Sequence, residues 1–357
     1  MIKSTSQFIL LFALCIFLIS WGTVGHKTIN GKTPDCFPGT MKGFSVWSDS
    51  LALHASDADT RKNTDSNESP KHFIDIDNYA EFLSTGRIAS TYDSIIKIHG
   101  STFVVKNGTV PWATKNTFDS LVVDFKKLNW HKAMLDASDL GHYVGDGHMP
   151  LHLSANYDGQ LSGQSGVHSR YESTMVGAYV NSLNTYSGSS VSFITDVQQY
   201  IFSYIYKNQK YRDSVLLADT YAAKIDASYG SAYTAALWSK TQFTITLFKN
   251  ASHSLAELIY TAWVTAGSPP FGAKNIQSAV LHTLADNFRI YPNPTSGMLT
   301  VTGDNISKIQ LCALNGATIG YFIDKQIDIS NLPLGMYLVN IYGKDNSIRR
   351  EKVLLTK

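Results

Sequence analysis

The stretch Leu140-Gly141-His142-Tyr143-Val144-Gly145-Asp146-Gly147-His148-Met149-Pro150-Leu151-His152 carries the densest chemical signal in the sequence. His142 and Asp146 are four residues apart, so on a helix both project from one face, about 6 Å from each other, the separation that two ligands of one metal ion need. Pro150 cannot continue that helix, and the chain beyond it is expected to turn His152 back toward the same side. Imidazole and carboxylate together, with no cysteine nearby, suit zinc. An ordinary helix with capped or solvated polar side chains shows the same spacing, so the surrounding sequence has to decide.

Working outward, His168-Ser169-Arg170-Tyr171-Glu172 repeats the one-face logic after a glycine-rich loop and makes a second metal plausible. Upstream, Asp57 and His72 bracket a polar loop, and His72 opens the apolar-acidic alternation Phe73-Ile74-Asp75-Ile76-Asp77. His26 stands five residues after Trp21. Asp59 lies two residues from Asp57 and is an alternative donor; His148, four before His152, is separated from it by Pro150 and reads as a supporting or solvent-exposed residue.

From Trp21 to about Gly267 the stretches Ser120 to Leu135, Ser190 to Lys207 and Ala232 to Ala266 carry apolar residues at three-to-four spacing, which predicts a mainly α domain. Lys62 to Ser69 and Asn156 to Gly166 have the composition of loops. Gly267-Ser268-Pro269-Pro270 breaks the pattern, and beyond Asn287 come strand-length segments, Met298 to Val301, Lys308 to Leu314 and Met336 to Tyr342, separated by turns such as Asn315-Gly316 and Pro333-Leu334-Gly335. These predict a small all-β sandwich.

The N-terminus reads as a leader: Lys3, then the apolar run Ile9 to Ile19, short for a membrane span, closed by Ser20. Cleavage after Ser20 would leave Trp21 with a free α-amino group. The expected organisation is a signal peptide over 1–20, a metal-dependent domain over 21–270, a linker over 271–286 and a C-terminal domain over 287–357. With 44% hydrophobic and 16% charged residues, the 357-residue chain can bury a sizeable core. Thirty basic against 28 acidic residues supply no global field for nucleic acid or an anionic membrane, so partners must be read from a site. Cys15, Cys36 and Cys312 fall in three different segments and make a disulfide framework improbable.

Over about residues 21 to 265 the sequence resembles the zinc-dependent phospholipases C of bacteria and the single-strand-specific zinc nucleases of fungi and plants, which share a mainly helical fold and three zinc ions. The family signature is an N-terminal Trp, a His, an Asp, a His, a His-x3-Asp-x5-His run and a His-x3-Asp/Glu pair. It is met in order by Trp21, His26, Asp57, His72, His142, Asp146, His152, His168 and Glu172. The resemblance implies that Asp57, His72, His142 and Asp146 hold a first zinc. Trp21 and His26, with Asp146 bridging, hold a second, and His152, His168 and Glu172 a third. It further implies that Asp57 orients or deprotonates the attacking water. His54, His99 and His131 match no ligand position.

The segments Tyr291-Pro292-Asn293-Pro294-Thr295-Ser296-Gly297, Ile329 to Tyr337 and Lys352-Val353-Leu354-Leu355-Thr356-Lys357 resemble the sorting domain of the type IX secretion system. That resemblance implies export through the periplasm and across the outer membrane of a Bacteroidetes-type bacterium, with the secretion machinery as partner. A carbohydrate-binding or adhesion module is the alternative, but no Trp lies beyond Trp263 to stack a sugar.

The expected activity is hydrolysis of a phosphoric ester, leaning to phospholipase C, with a phospholipid head group as substrate. A single-strand nuclease is the close alternative, and a non-catalytic zinc-stabilised adhesion protein the alternative of another class. Glu172 resembles the phospholipase branch, whereas the short interval from Trp21 to His26 resembles the nucleases. No stable protein partner is implied.

Overall fold

The computed structural model describes residues 22–273, 288–314, 317–344 and 348–357. The leader, Trp21, most of the expected linker and the Asn315-Gly316 turn lie outside the described residues. The chain divides into two compact units at Lys274/Asn275.

The first unit is helical. Its principal helices are α1 (Gly22–Lys32), α2 (Val110–Lys126), α3 (Trp130–Asp146), α4 (Val197–Gln209), α5 (Arg212–Ile225), α6 (Ser231–Lys240) and α7 (Phe243–Thr265). Each long periodic stretch is interrupted where the sequence supplies a cap or a stop. Between Ser120 and Leu135 the chain leaves α2, passes Leu128 at φ 55°, and restarts at Asn129, whose side chain accepts from the Lys132 N–H. In Ser190 to Lys207 the helix begins only at Val197, after Asp196 accepts from the Gln199 N–H at 3.0 Å. Ala232 to Ala266 divides at Thr241 and Gln242 into α6 and α7.

α3 packs against α1, α2 and α7. Its apolar face, including Ala133, Ala137, Leu140 and Val144, enters a core shared with Phe125, Phe202, Leu255 and Ile259. A second core gathers Ile29 of α1 with Met149, Leu151, Val167, Tyr171 and Phe248. Two glycines let α1 approach α3 closely: a Cβ at Gly141 would lie 2.2 Å from Asn30 Oδ1, and one at Gly145 2.9 Å from His26 Nδ1. The contact is secured by Asn30, whose Nδ2 donates to the carbonyls of Leu51 and Ser138.

The second unit is two antiparallel sheets, ordered β1-β2-β5 and β4-β3-β6-β7. The strands are β1 (Arg289–Tyr291), β2 (Met298–Thr302), β3 (Ile306–Ala313), β4 (Thr318–Phe322), β5 (Gln326–Asp328), β6 (Gly335–Gly343) and β7 (Ile348–Leu355). Alternate residues point inward, Ile309 and Leu311 from β3, then Tyr337, Val339 and Ile341 from β6, meeting Leu299, Val301 and Val353. The three expected strand segments fall in β2, β3 and β6, apart from Leu314, which lies past the end of β3. The fold class is therefore mainly α with a small all-β C-terminal domain.

Candidate metal centre

Six short pieces of chain converge in the helical unit. α1 supplies His26, the helix Asp57–Arg61 supplies Asp59, and the 3-10 turn Ser69–His72 supplies His72. α3 ends at Asp146 with His142 one turn before, four residues ahead of Pro150. The 3-10 turn Pro150–Leu153 brings His152 back toward Asp146, as the proline predicts. His168 and Glu172 come from one helical turn continuing into the π-helix Arg170–Met175.

Three groups result, His26–His142–Asp146, Asp59–His72–His142 and His152–His168–Glu172, each with one ligand atom per residue within 4.8 Å of the others. His142 belongs to two of them. Asp146 ties all three together: Oδ1 is 3.5 Å from His26 Nε2 and 3.3 Å from His152 Nδ1, and Oδ2 is 3.1 Å from His72 Nδ1 and 3.4 Å from His142 Nε2. The His26 and His142 rings stack at 3.9 Å.

The outer nitrogens show what the inner ones are for. His142 Nδ1 donates to the Ala55 carbonyl at 2.8 Å, His152 Nδ1 to the His72 carbonyl at 2.7 Å and His168 Nδ1 to the Tyr157 carbonyl at 3.0 Å. A neutral imidazole has one N–H, so each Nε2 is left with a lone pair facing inward. His152 and His168 Nε2 then lie 3.2 Å apart with Glu172 Oε2 at 3.4 and 3.0 Å, three acceptors converging without a donor. Both Glu172 carboxylate oxygens are buried without a hydrogen-bond partner. A buried cluster of this kind is costly unless a cation stands among the acceptors, and the residues present fit such an ion.

For His152, burial, which would lower the imidazole, is outweighed by Asp146 and Glu172, which raise it above the ordinary histidine range. Burial and the neighbouring His26 hold His142 well below the ordinary histidine range. Burial alone would raise Glu172, but His168 and His152 outweigh it and bring its carboxyl down to about 2. For Asp146 burial is again outweighed, by His142 and His152 above all, and the carboxyl is held well below its usual range. The carboxylates are thus ionised throughout the neutral range.

The expected sites divide as follows. His26, His72, His142, Asp146, His152, His168 and Glu172 are brought together. Asp57 is not: its side chain is 49% exposed and its Oδ2 bonds His54 Nδ1 at 2.7 Å. Asp59 stands in its place, with Oδ1 3.6 Å from both His72 Nδ1 and His142 Nε2. The reason is local, because Asp57 and Asp59 differ by just over half a turn of the helix Asp57–Arg61, so only one of them can face His72 and His142. Of the two expectations for His148, a supporting or a solvent-exposed residue, exposure does not hold: it is buried, donates to the Val144 carbonyl at 2.8 Å and stacks on Tyr204. His54 and His99 pair with Asp57 and Glu81, and His131 is exposed.

One participant escaped the sequence reading. Glu68 is buried among Tyr143, Lys71 and Arg61, with Oε1 3.6 Å from the outer nitrogen of His72. Burial would raise its carboxyl, but His72, Lys71 and Tyr143 outweigh it and keep it well below the usual range. The spacing Glu68-x3-His72 was the available signal.

Residues 289–355 match the family model described as a secretion system C-terminal sorting domain. The sorting domain marks the chain for export to a secreted or cell-surface location and for interaction with the secretion machinery. Among the described residues no helix is long and apolar enough to cross a membrane. No curated protein matches the chain. Among solved structures, the alpha toxin of Clostridium absonum is similar at 12% identity and TM-score 0.44, over 95% of this chain and 82% of its own. An alpha-toxin of Clostridium perfringens from avian strain SWCP is similar at 10% identity and TM-score 0.44, over 94% and 98%.

Proposed function

We propose that this protein is a secreted zinc-dependent hydrolase of phosphoric esters, phospholipase C-like in substrate, with zinc at each of the three His/carboxylate groups. The observation that carries this reading is the convergence of inner nitrogens on buried carboxylates, those of His26, His72 and His142 on Asp146 and those of His152 and His168 on Glu172, with the outer nitrogens of His142, His152 and His168 committed to backbone carbonyls. Asp59, His72, His142 and Asp146 would hold one ion. His26 and Asp146, with the amine of Trp21, would hold a second, and His152, His168 and Glu172 a third.

Bound zinc supplies Lewis-acid chemistry: it makes water a nucleophile near neutral pH and neutralises charge on phosphate oxygens. The chain's own part is positioning. Asp59 is oriented by Lys62, whose Nζ donates to Oδ1 at 2.7 Å, while Oδ2 is buried without a hydrogen-bond partner. That oxygen is suited to accept a proton from, and so aim, the attacking water, the role expected at first of Asp57. The carbonyl-bound imidazoles hold their tautomer through the reaction, so no ligand has to reorient as charge builds on the phosphate.

The test is zinc analysis of protein beginning at Trp21, with parallel assays on phosphatidylcholine, single-stranded DNA and RNA, before and after chelation. The expected result is zinc at every group and cleavage of phosphatidylcholine that chelation abolishes and zinc restores. Active protein holding one zinc or none refutes the proposal, and cleavage confined to nucleic acid transfers the activity to the nuclease branch.

A further inference from the structure

A second cluster of reactive side chains, none belonging to the three His/carboxylate groups, forms where the segment 184–196 meets α7 and the 3-10 turn Thr33–Cys36. Ser189 Oγ is 2.9 Å from His253 Nδ1. His253 Nε2 faces Glu257 Oε1 at 3.3 Å, one helical turn further along α7. Glu257 is buried and held from two other directions, by the Tyr200 hydroxyl donating to Oε2 at 2.6 Å and by the Ser192 N–H donating to Oε1 at 3.1 Å. Nucleophile, base and orienting carboxylate therefore stand in series at contact distance, with the carboxylate itself immobilised, which is the geometry that activates a serine.

The serine is presented, not buried. Gly188 sits at φ 90°, and a Cβ there would lie 2.0 Å from the Asp35 carbonyl, so the glycine pins the tip of the segment against the Thr33–Cys36 turn. Ser189, the next residue, is exposed. On its other side the Tyr186 hydroxyl lies 2.6 Å from Ser189 Oγ, and the Cys36 thiol donates to that hydroxyl at 3.4 Å.

We propose that Ser189, His253 and Glu257 form a second, metal-independent nucleophilic centre that acts on small activated esters. Ser189 Oγ bonds to the acyl carbon while its proton passes to His253 Nδ1. The bond from that carbon to the leaving oxygen breaks, and the leaving group departs with the electron pair and takes a proton from His253. Water then cleaves the acyl-serine, releasing the acid and restoring the hydroxyl. No electrons are exchanged with any other group, and no metal ligand takes part, so the proposal stands or falls apart from the zinc reading.

The groups acting on His253 are Ser189 and Cys36 across the contact and Glu257 on its own helix, with Tyr186 behind Ser189 and Tyr200 behind Glu257. Cys36 first and Glu257 second outweigh burial and push the imidazole up to about 9. The neutral base is therefore a minor form at neutral pH, and the rate should climb with pH through about 9.

The experiment treats the zinc-loaded full chain with a fluorophosphonate probe and maps the modified residue by peptide mass spectrometry, beside the variants Ser189→Ala, His253→Ala, Glu257→Gln and Cys36→Ala. The expected result is an adduct on Ser189, absent in Ser189→Ala, slowed by about 10-fold or more in His253→Ala, slowed in Glu257→Gln and retained in Cys36→Ala. Hydrolysis of p-nitrophenyl acetate should follow the same order and persist with chelator present. Equal circular dichroism and zinc content across the set separates loss of the centre from loss of the fold. Labelling of Ser189 no faster than of its exposed neighbour Ser190, or undiminished in a folded His253→Ala variant, overturns the proposal.

Discussion

Asp57 and Asp59 differ by just over half a helical turn, so they point to nearly opposite sides of the helix Asp57–Arg61, and only Asp59 faces His72 and His142. Asp59→Asn is expected to remove zinc and to lower hydrolysis by several orders of magnitude, whereas Asp57→Asn, which changes an exposed pair with His54, should stay within about 10-fold. Zinc content and rate measured on both variants check this, and the reverse ranking would restore Asp57. Asp75 gives a prediction for pH. Burial first, and Asp77 second, push its carboxyl up to about 7. The fold therefore binds this proton more tightly than the unfolded chain, so the associated stability is present below the ordinary carboxyl pKa and is lost as pH rises toward 7. Urea unfolding at pH 5 and pH 8 should show a larger drop for the native protein than for Asp75→Asn.

At the scale of elements, the approach of α1 to α3 depends on Gly141. Alanine there would gain about 1 kcal/mol of helix propensity, but its Cβ would overlap Asn30 Oδ1, and overpacking of this kind costs roughly 1–3 kcal/mol with a shift of backbone. Gly141→Ala is expected to lower the thermal midpoint and, because α1 carries His26, to weaken zinc retention in step. A midpoint at or above that of the native protein would show that the helices are not in tight contact. The same scale marks where periodicity misled. The apolar spacing from Ser120 to Leu135 suggested one continuous helix, but Lys127 and Asn129 are exposed, the first helix stops there, and Asn129 caps a new one.

For the whole molecule, the proposed leader and the proposed zinc chemistry would meet at Trp21. If Trp21 contributes its amine, a chain that keeps its leader has an amide nitrogen there, which has no lone pair to give at neutral pH, whereas an α-amino group with pKa near 8 deprotonates readily beside a cation. Such a chain is expected to fold, to hold less zinc and to hydrolyse more slowly than one beginning at Trp21; equal zinc content and equal rate would exclude the amine as a ligand. The sequence by itself determined the two architectures and most of the residues that gather in the three His/carboxylate groups, since helical and strand periodicities are local and the pairs His142/Asp146 and His168/Glu172 are one turn apart on their own helices. Tertiary structure alone set Asp59, and not Asp57, beside His72 and His142, made His148 a packed core residue, brought Glu68 to His72 and gathered Ser189, His253 and Glu257. Each of these depends on which face of a short element meets a distant part of the chain, and that follows from packing, not from spacing.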